Sequence, residues 1–120
     1  MLRNIVAIDD DEDILFVIHS VLIKSRYNII TNTSGDFLLK MDHEKTGLII
    51  LDINLKDDDG RRLCEVMKND IITNHIPVIF VSAIYNLQNI FNNSSANGFL
   101  SKPFDIYEFI NIVEKHCIKV

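Results

Sequence analysis

Five short apolar runs recur along the chain, each stopping at a polar or charged residue and each followed by a longer amphipathic stretch. They are Asn4 to Ile8, Tyr27 to Thr33, Leu48 to Ile53, Val78 to Val81 and Phe99 to Leu100. A nearly continuous run such as Ile5-Val6-Ala7-Ile8 suits a strand covered on both faces. From Glu12 to Arg26, Ile14, Val17, Ile18, Val21 and Leu22 recur at three- and four-residue steps, which predicts a helix with one buried stripe. Ser34 offers an N-cap for a short helix through Phe37, Leu38 and Met41. Arg61 to Asn69 sets Leu63, Val66 and Met67 on one side, Leu87 to Asn92 is a weak helix, and Asp105 to His116 carries Phe109, Ile110 and Val113. Pro77 opens the fourth run, where a residue that cannot donate to a ladder is tolerated. Alternation of this kind predicts right-handed crossovers: an α/β fold with a parallel sheet, helices on both faces, and a single domain over residues 1–120.

Composition excludes several classes. With 12 basic and 17 acidic residues the net charge is −5, so bulk charge gives no attraction for nucleic acid or an anionic membrane. The start, MLRNIVAIDDD, meets an acidic cluster too early for a signal peptide. Leu48 to Leu51 halts at Asp52, far short of the ~20 apolar residues a membrane span needs. Cys64 and Cys117 lie in apolar-periodic segments without a CxxC, which predicts two buried free thiols in a reducing cytoplasm. His19, His43, His75 and His116 show no zinc-binding spacing.

The polar residues collect where the strands run out. Asp9 and Asp10 follow the first strand, Asp52 the third, Ser82 the fourth and Lys102 the fifth. In an open parallel sheet these ends share one edge, and ligands bind in the crevice there. Taken singly, Asp9 to Asp13 is an acidic helix start favoured by the helix dipole, and Asp52 is a turn residue. Together they form a constellation. Carboxylates a few Å apart repel, and a hard divalent cation removes the conflict; oxygen ligands without His or Cys favour Mg²⁺. A hydroxyl from Ser82 and the Lys102 ammonium complete a receptor for a phosphoryl group, and the central carboxylate can carry it as an acyl phosphate. Asp57, Asp58 and Asp59 lie beyond the strand end and read as a solvated charge run.

These residues resemble a receiver domain of two-component response regulators. The likeness is carried by Ile8-Asp9-Asp10, Leu51-Asp52-Ile53-Asn54-Leu55, Asp59-Gly60, the segment Ile76 to Ala83, and the segment Gly98 to Phe104, in the family's order and spacing over nearly the whole chain. The resemblance implies a flavodoxin-like (βα)5 doubly wound sandwich with strand order 2-1-3-4-5; the chemotaxis receiver is a standard example of that order. It implies that Asp52 is the phosphoacceptor, and that Asp9, Asp10 and Asp52 hold Mg²⁺ together with the backbone carbonyl of Asn54, Asp10 directly and Asp9 through water. Ser82 matches the hydroxyl that moves toward the phosphoryl group, and Lys102, ahead of a cis Pro103, the lysine that pairs with it. Ala83 leaves room beside the site, Phe99 matches the aromatic that changes burial, and Asn54 and Ile84 flank the approach of an attacking water. The implied donor is a histidine kinase or histidine phosphotransfer protein, with an unidentified downstream protein as output partner.

The sequence departs from the family pattern at Lys56, where Pro is common, and at Phe99, where Tyr is common. The stretch Asn86 to Asn97 is rich in Asn and Ser, which implies a short helix on the face receivers use for output. Two other readings stay open at this stage. Asp9-Asp10-Asp11 contains the D-x-D of haloacid-dehalogenase-type phosphatases, with Asp9 as nucleophile; against it stand Asp13 two residues past Asp11 and the lack of an acidic pair after Lys102. A pseudo-receiver would bind partners without phosphorylation. Met1 favours a natural start, leaving a stand-alone regulator or part of a larger protein, and homodimerisation is open.

Overall fold

The first, third and fourth apolar runs become strands whose two faces are both covered. The computed structural model describes residues 3–119, so Met1, Leu2 and Val120, the ends of the domain expected over 1–120, lie outside the described residues. Its elements are β1 (Asn4–Ile8), α1 (Glu12–Ile23), β2 (Asn28–Asn32), a 3-10 helix (Gly35–Leu39), β3 (Thr46–Leu51), α2 (Gly60–Lys68), β4 (Val78–Ser82), α3 (Leu87–Asn92), β5 (Gly98–Ser101) and α4 (Ile106–His116). All strand pairs are parallel and the order is β2-β1-β3-β4-β5, the doubly wound arrangement. Ile8 pairs with Leu51, Leu51 with Phe80 and Phe80 with Phe99, so four strands end at nearly the same height.

Period-two alternation in each strand divides the core into two layers. Val6, Ile8, Ile49, Leu51, Val78 and Phe80 face the 3-10 helix, α2 and α3, packing with Leu38, Leu63, Met67 and Leu87. Ile5, Ala7, Leu48, Ile50, Ile79 and Val81 face α1 and α4, packing with Leu15, Ile18, Leu22, Phe109 and Val113. Each fully buried large aliphatic or aromatic side chain contributes about 1.5–3 kcal/mol of transfer free energy. The edge strand β2 is only half-buried at Ile29 and Ile30, in keeping with its weaker apolar pattern.

Several expectations need correction. The buried stripe of α1 is centred on Leu15, Ile18 and Leu22; Val17 is 41% exposed. In α2, Cys64 lies inside and Val66 is 39% exposed. The segment capped by Ser34 winds as a 3-10 helix and ends at Leu39. Helix α1 stops at Ile23 rather than continuing to Arg26. There Tyr27 N–H bonds to Leu22 C=O at 3.4 Å and Arg26 N–H to Ile23 C=O at 3.2 Å, with Arg26 at φ 68°. That is a Schellman stop built on an arginine in the left-handed region, where glycine is usual. Asp105, read as the first residue of the last helix, is its N-cap, accepting from Tyr107 and Glu108 N–H groups. Both cysteines are buried and free. Among the described residues no helix is long and apolar enough to cross a membrane.

Candidate functional site

The carboxyl ends of β1 and β3 lie side by side, and the next residue of each is an aspartate. Asp52 N–H donates to Ile8 C=O at 3.1 Å, which extends the β1–β3 ladder one step and fixes Asp52 beside Asp9. Asp9 and Asp52 are 3% and 7% exposed. Asp9, Asp10 and Asp52 each present a carboxylate oxygen within 4.8 Å of the others. Lys102 enters from β5: its backbone N–H bonds to Ser82 C=O at 2.9 Å, and its ammonium donates to Asp9 Oδ2 at 2.6 Å and to Asp52 Oδ2 at 3.2 Å. The Lys102–Pro103 peptide bond is cis.

The remaining oxygens are unequally occupied. Asp9 Oδ1 accepts from Asp11 N–H at 2.9 Å, and Asp52 Oδ1 from Ile53 N–H at 2.7 Å. The Asp10 side chain accepts no hydrogen bond among the described residues, and it opens onto a cleft also lined by Asp11, Glu12, Asp13, Thr33, Ser34, Lys56 and Asp57. Three carboxylates thus face one ammonium. Burial pushes the Asp9 carboxyl above the usual carboxylate value; Lys102 and the Asp11 amide pull it back, while the Asp52 charge adds to the rise. For Lys102, desolvation pulls the ammonium down, but its bonds and charge interactions with Asp9 and Asp52 together outweigh that and raise it. The surplus negative charge, the all-oxygen donor set and the free Asp10 oxygens fit a hard divalent cation such as Mg²⁺.

Other expected residues stand around this centre. Ser82 is buried at the end of β4; its hydroxyl accepts from Ile84 N–H at 3.3 Å and makes no hydrogen bond to Asp52 or Lys102. Ala83 is exposed and Ile84 half-buried. Asn54 is exposed, its backbone bridged to Asp59. Phe99 is half-buried against Phe91, ring centroids 4.8 Å apart. Helix α3 has only six residues and no side-chain N-cap, as its Asn- and Ser-rich sequence implied.

The run Asp57 to Asp59 is not a simple solvated stretch, because each carboxylate has its own partner. Asp57 accepts from Ser34 Oγ at 2.6 Å, Asp58 pairs with Arg62, and Asp59 pairs with Arg61 at 2.7 Å while capping α2 through Arg61 N–H. These pairs hold Asp58 and Asp59 below the ordinary carboxylate value. Sequence reasoning found Asp59-Gly60 only as a motif. Its physical reason is close approach: a Cβ on Gly60 would lie 2.1 Å from the Asp52 carbonyl oxygen and 2.9 Å from Ile53 Cα. Asp11, next to the acidic pair, caps α1 by accepting from Asp13 and Ile14 N–H groups.

Comparison with known proteins agrees with this geometry. The sequence model of the response regulator receiver domain matches residues 5–114. The chain is 34% identical to histidine kinase P4 of Formosa agariphila over 112 residues, covering 89% of this chain and 8% of that protein. It is 30% identical to the nisin biosynthesis regulatory protein NisR of Lactococcus lactis over 117 residues, covering 95% of this chain and 50% of that protein. The chain therefore spans half or less of the length of these relatives. The receiver domain of the sensor histidine kinase PA1611 from Pseudomonas aeruginosa, solved with a magnesium ion in its active-site cleft, superposes with a TM-score of 0.84 at 18% identity, covering 97% of this chain and 98% of that one. With the parallel 2-1-3-4-5 sheet, acids at the ends of its adjacent strands β1 and β3 and a lysine reaching them from the edge, the match across residues 5–114 makes this chain a member of the response regulator receiver family, the phosphoacceptor domains of two-component signalling.

Proposed function

We propose that Asp52 is the phosphoacceptor and that a histidine kinase or histidine phosphotransfer protein is the donor. The observation that carries this reading is the sharing of the Lys102 ammonium between Asp9 and Asp52, with Asp10 alongside and open to solvent. An Asp52 Oδ attacks the donor phosphorus as the P–N bond to the donor imidazole breaks; the nitrogen keeps the electron pair and takes up a proton. Asp10 and Asp52 would ligate Mg²⁺ directly, with the Asn54 carbonyl, and Asp9 through water, as in the receiver pattern; of the three carboxylates Asp10 alone brings oxygens without a protein donor among the described residues. Bound Mg²⁺ supplies positive charge to the phosphoryl oxygens during transfer. Lys102 then turns from the two carboxylates to a phosphoryl oxygen, and Ser82 exchanges its Ile84 amide bond for another.

The contacts made by the new dianion must favour one conformation over another, because a ligand shifts an equilibrium only by differential affinity. Phe99, packed on Phe91 beside the short α3, is the element that reads the shift and presents it to a downstream protein. This signalling takes place in the cytoplasm, and residues 1–120 act as one unit. The phosphatase reading is disfavoured by Asp11, whose carboxylate caps α1 outside the three-acid cluster.

Acetyl phosphate with Mg²⁺ should label the chain at Asp52, and beryllofluoride should shift the amide resonances around Ser82 and Phe99. Undiminished labelling of Asp52→Ala would refute the assignment, and a chain inert to both reagents would favour the pseudo-receiver.

A further inference from the structure

The loop after Asp52 carries one cation and three acids, and only the cation is unattached. Asp57 is held by the Ser34 hydroxyl, Asp58 by Arg62 and Asp59 by Arg61. Leu55 is buried, and its N–H bonds to Asp58 C=O at 3.2 Å, so the backbone on either side of Lys56 is anchored. Lys56 itself makes no hydrogen bond or ion pair among the described residues, and it is exposed. It is the cationic side chain lining the cleft beside Asp10, whose other charged walls are Asp11, Glu12, Asp13 and Asp57. A free ammonium on an anchored loop, sharing a cleft with acids that have no cation of their own among the described residues, is a counter-charge that can be displaced.

We infer that Lys56 is an internal counter-cation of the metal cleft. Its ammonium screens the Asp10 side of the site and competes electrostatically with a divalent cation, so the domain binds Mg²⁺ more weakly than its acids alone would. The inference rests on the reading of Asp9, Asp10 and Asp52 as the metal site. A unit charge sharing a solvent-rich cleft with a divalent ion repels it enough to change affinity about threefold to tenfold at low ionic strength, and salt screens the effect. Lys56 is a positioning residue here; it sets metal affinity without touching the transferred group.

The test is Mg²⁺ titration of the intact chain by calorimetry and amide chemical shifts, without any phosphodonor. Lys56→Gln should bind Mg²⁺ about threefold to tenfold more tightly than the unaltered protein in low salt, with the ratio falling toward one in high salt. Lys56→Arg, which keeps the charge, and Lys24→Gln, beyond the far end of α1, should match the unaltered protein. Equal affinities for Lys56→Gln and the unaltered chain in low salt would overturn the inference while leaving the metal site standing. Equal tightening by Lys24→Gln would overturn it too, by assigning the effect to net charge. An unaltered chain that takes up no Mg²⁺ would bring down both this inference and the reading it rests on.

Discussion

Lys102 lies closer to Asp9, at 2.6 Å, than to Asp52, at 3.2 Å, so the partner it grips more tightly is not the proposed phosphoacceptor. One ammonium, at the end of a side chain 13% exposed, serves two buried carboxylates. Replacing it with Met leaves like charges buried together without compensation. Without metal, Lys102→Met should lose about 2–4 kcal/mol in urea denaturation, and Mg²⁺ should restore part of that loss. Equal stability in EDTA for variant and unaltered protein would show that the shared ion pair contributes nothing to folding.

Asp52→Asn should have the opposite sign. Asp52 repels Asp9 while pairing with Lys102, which keeps its shorter bond to Asp9, so loss of the Asp52 charge relieves the surplus of three carboxylates over one ammonium. Removing it is expected to stabilise the protein in EDTA by about 1 kcal/mol and to abolish most of the stabilisation by Mg²⁺. For the unaltered chain that stabilisation is about 1.4 kcal/mol at ten times the dissociation constant. Thermal melts of both proteins across a Mg²⁺ series give the comparison.

Asp11→Ala separates a helix cap from a metal ligand. The side chain satisfies two amides at the start of α1, so its loss should cost about 1 kcal/mol. Labelling of Asp52 by acetyl phosphate should persist, needing about threefold to tenfold more Mg²⁺ at low salt for the lost cleft charge, because Asp11 bonds to the site only through its backbone N–H. Loss of labelling with unchanged stability would reverse these roles.

Arg26→Gly should stabilise the fold. Arg26 is exposed and sits at φ 68°, a conformation that costs an L side chain about 1–2 kcal/mol. Part of the gain is returned as the greater chain entropy of glycine in the unfolded state, leaving about 0.5–1 kcal/mol. A lower denaturation midpoint for the glycine variant would mean that the arginine stem contributes more than its backbone strain.

Alkaline stability should bend at Cys64. Burial pushes this thiol from 9.0 up to about 11. Below pH 9 it is neutral in both states; between 9 and 11 the unfolded chain deprotonates first. Stability should therefore fall as pH rises through that window, by about 1.4 kcal/mol per pH unit from this group. Cys64→Ala should flatten the alkaline limb of a stability–pH curve, and maleimide should label Cys64 in the folded protein far more slowly than in urea.

The strands and the site edge were legible in the sequence for one physical reason. A strand buried on both faces must be continuously apolar, so Asp9 and Asp52 are visible as the points where that condition ends, whereas Lys102 follows the half-buried edge strand β5. What periodicity could not locate was the centre of each helical stripe: Val17 and Val66 satisfy the three- and four-residue steps yet face solvent, while Leu15 and Cys64 are buried. Contacts made only in space were hidden altogether. Nothing local to Asp57 announces Ser34, 23 residues away, and the acids beside it look like a solvated run until Arg61 and Arg62 turn toward them on α2.

The tight seat of Gly60 determines which part of the rim is free to respond. With no room for even a methyl group between the first residue of α2 and the Asp52 carbonyl, and with Gly60 N–H bonded to Ile53 C=O at 2.7 Å, the start of α2 is tied closely to the segment that follows β3. Across the socket, the chain after Ser82 runs through exposed Ala83 to a wholly exposed Tyr85 before a helix of six residues. The proposed phosphoryl group on Asp52 would therefore have a tightly packed wall at α2, and the more exposed wall of its socket is the segment between β4 and α3.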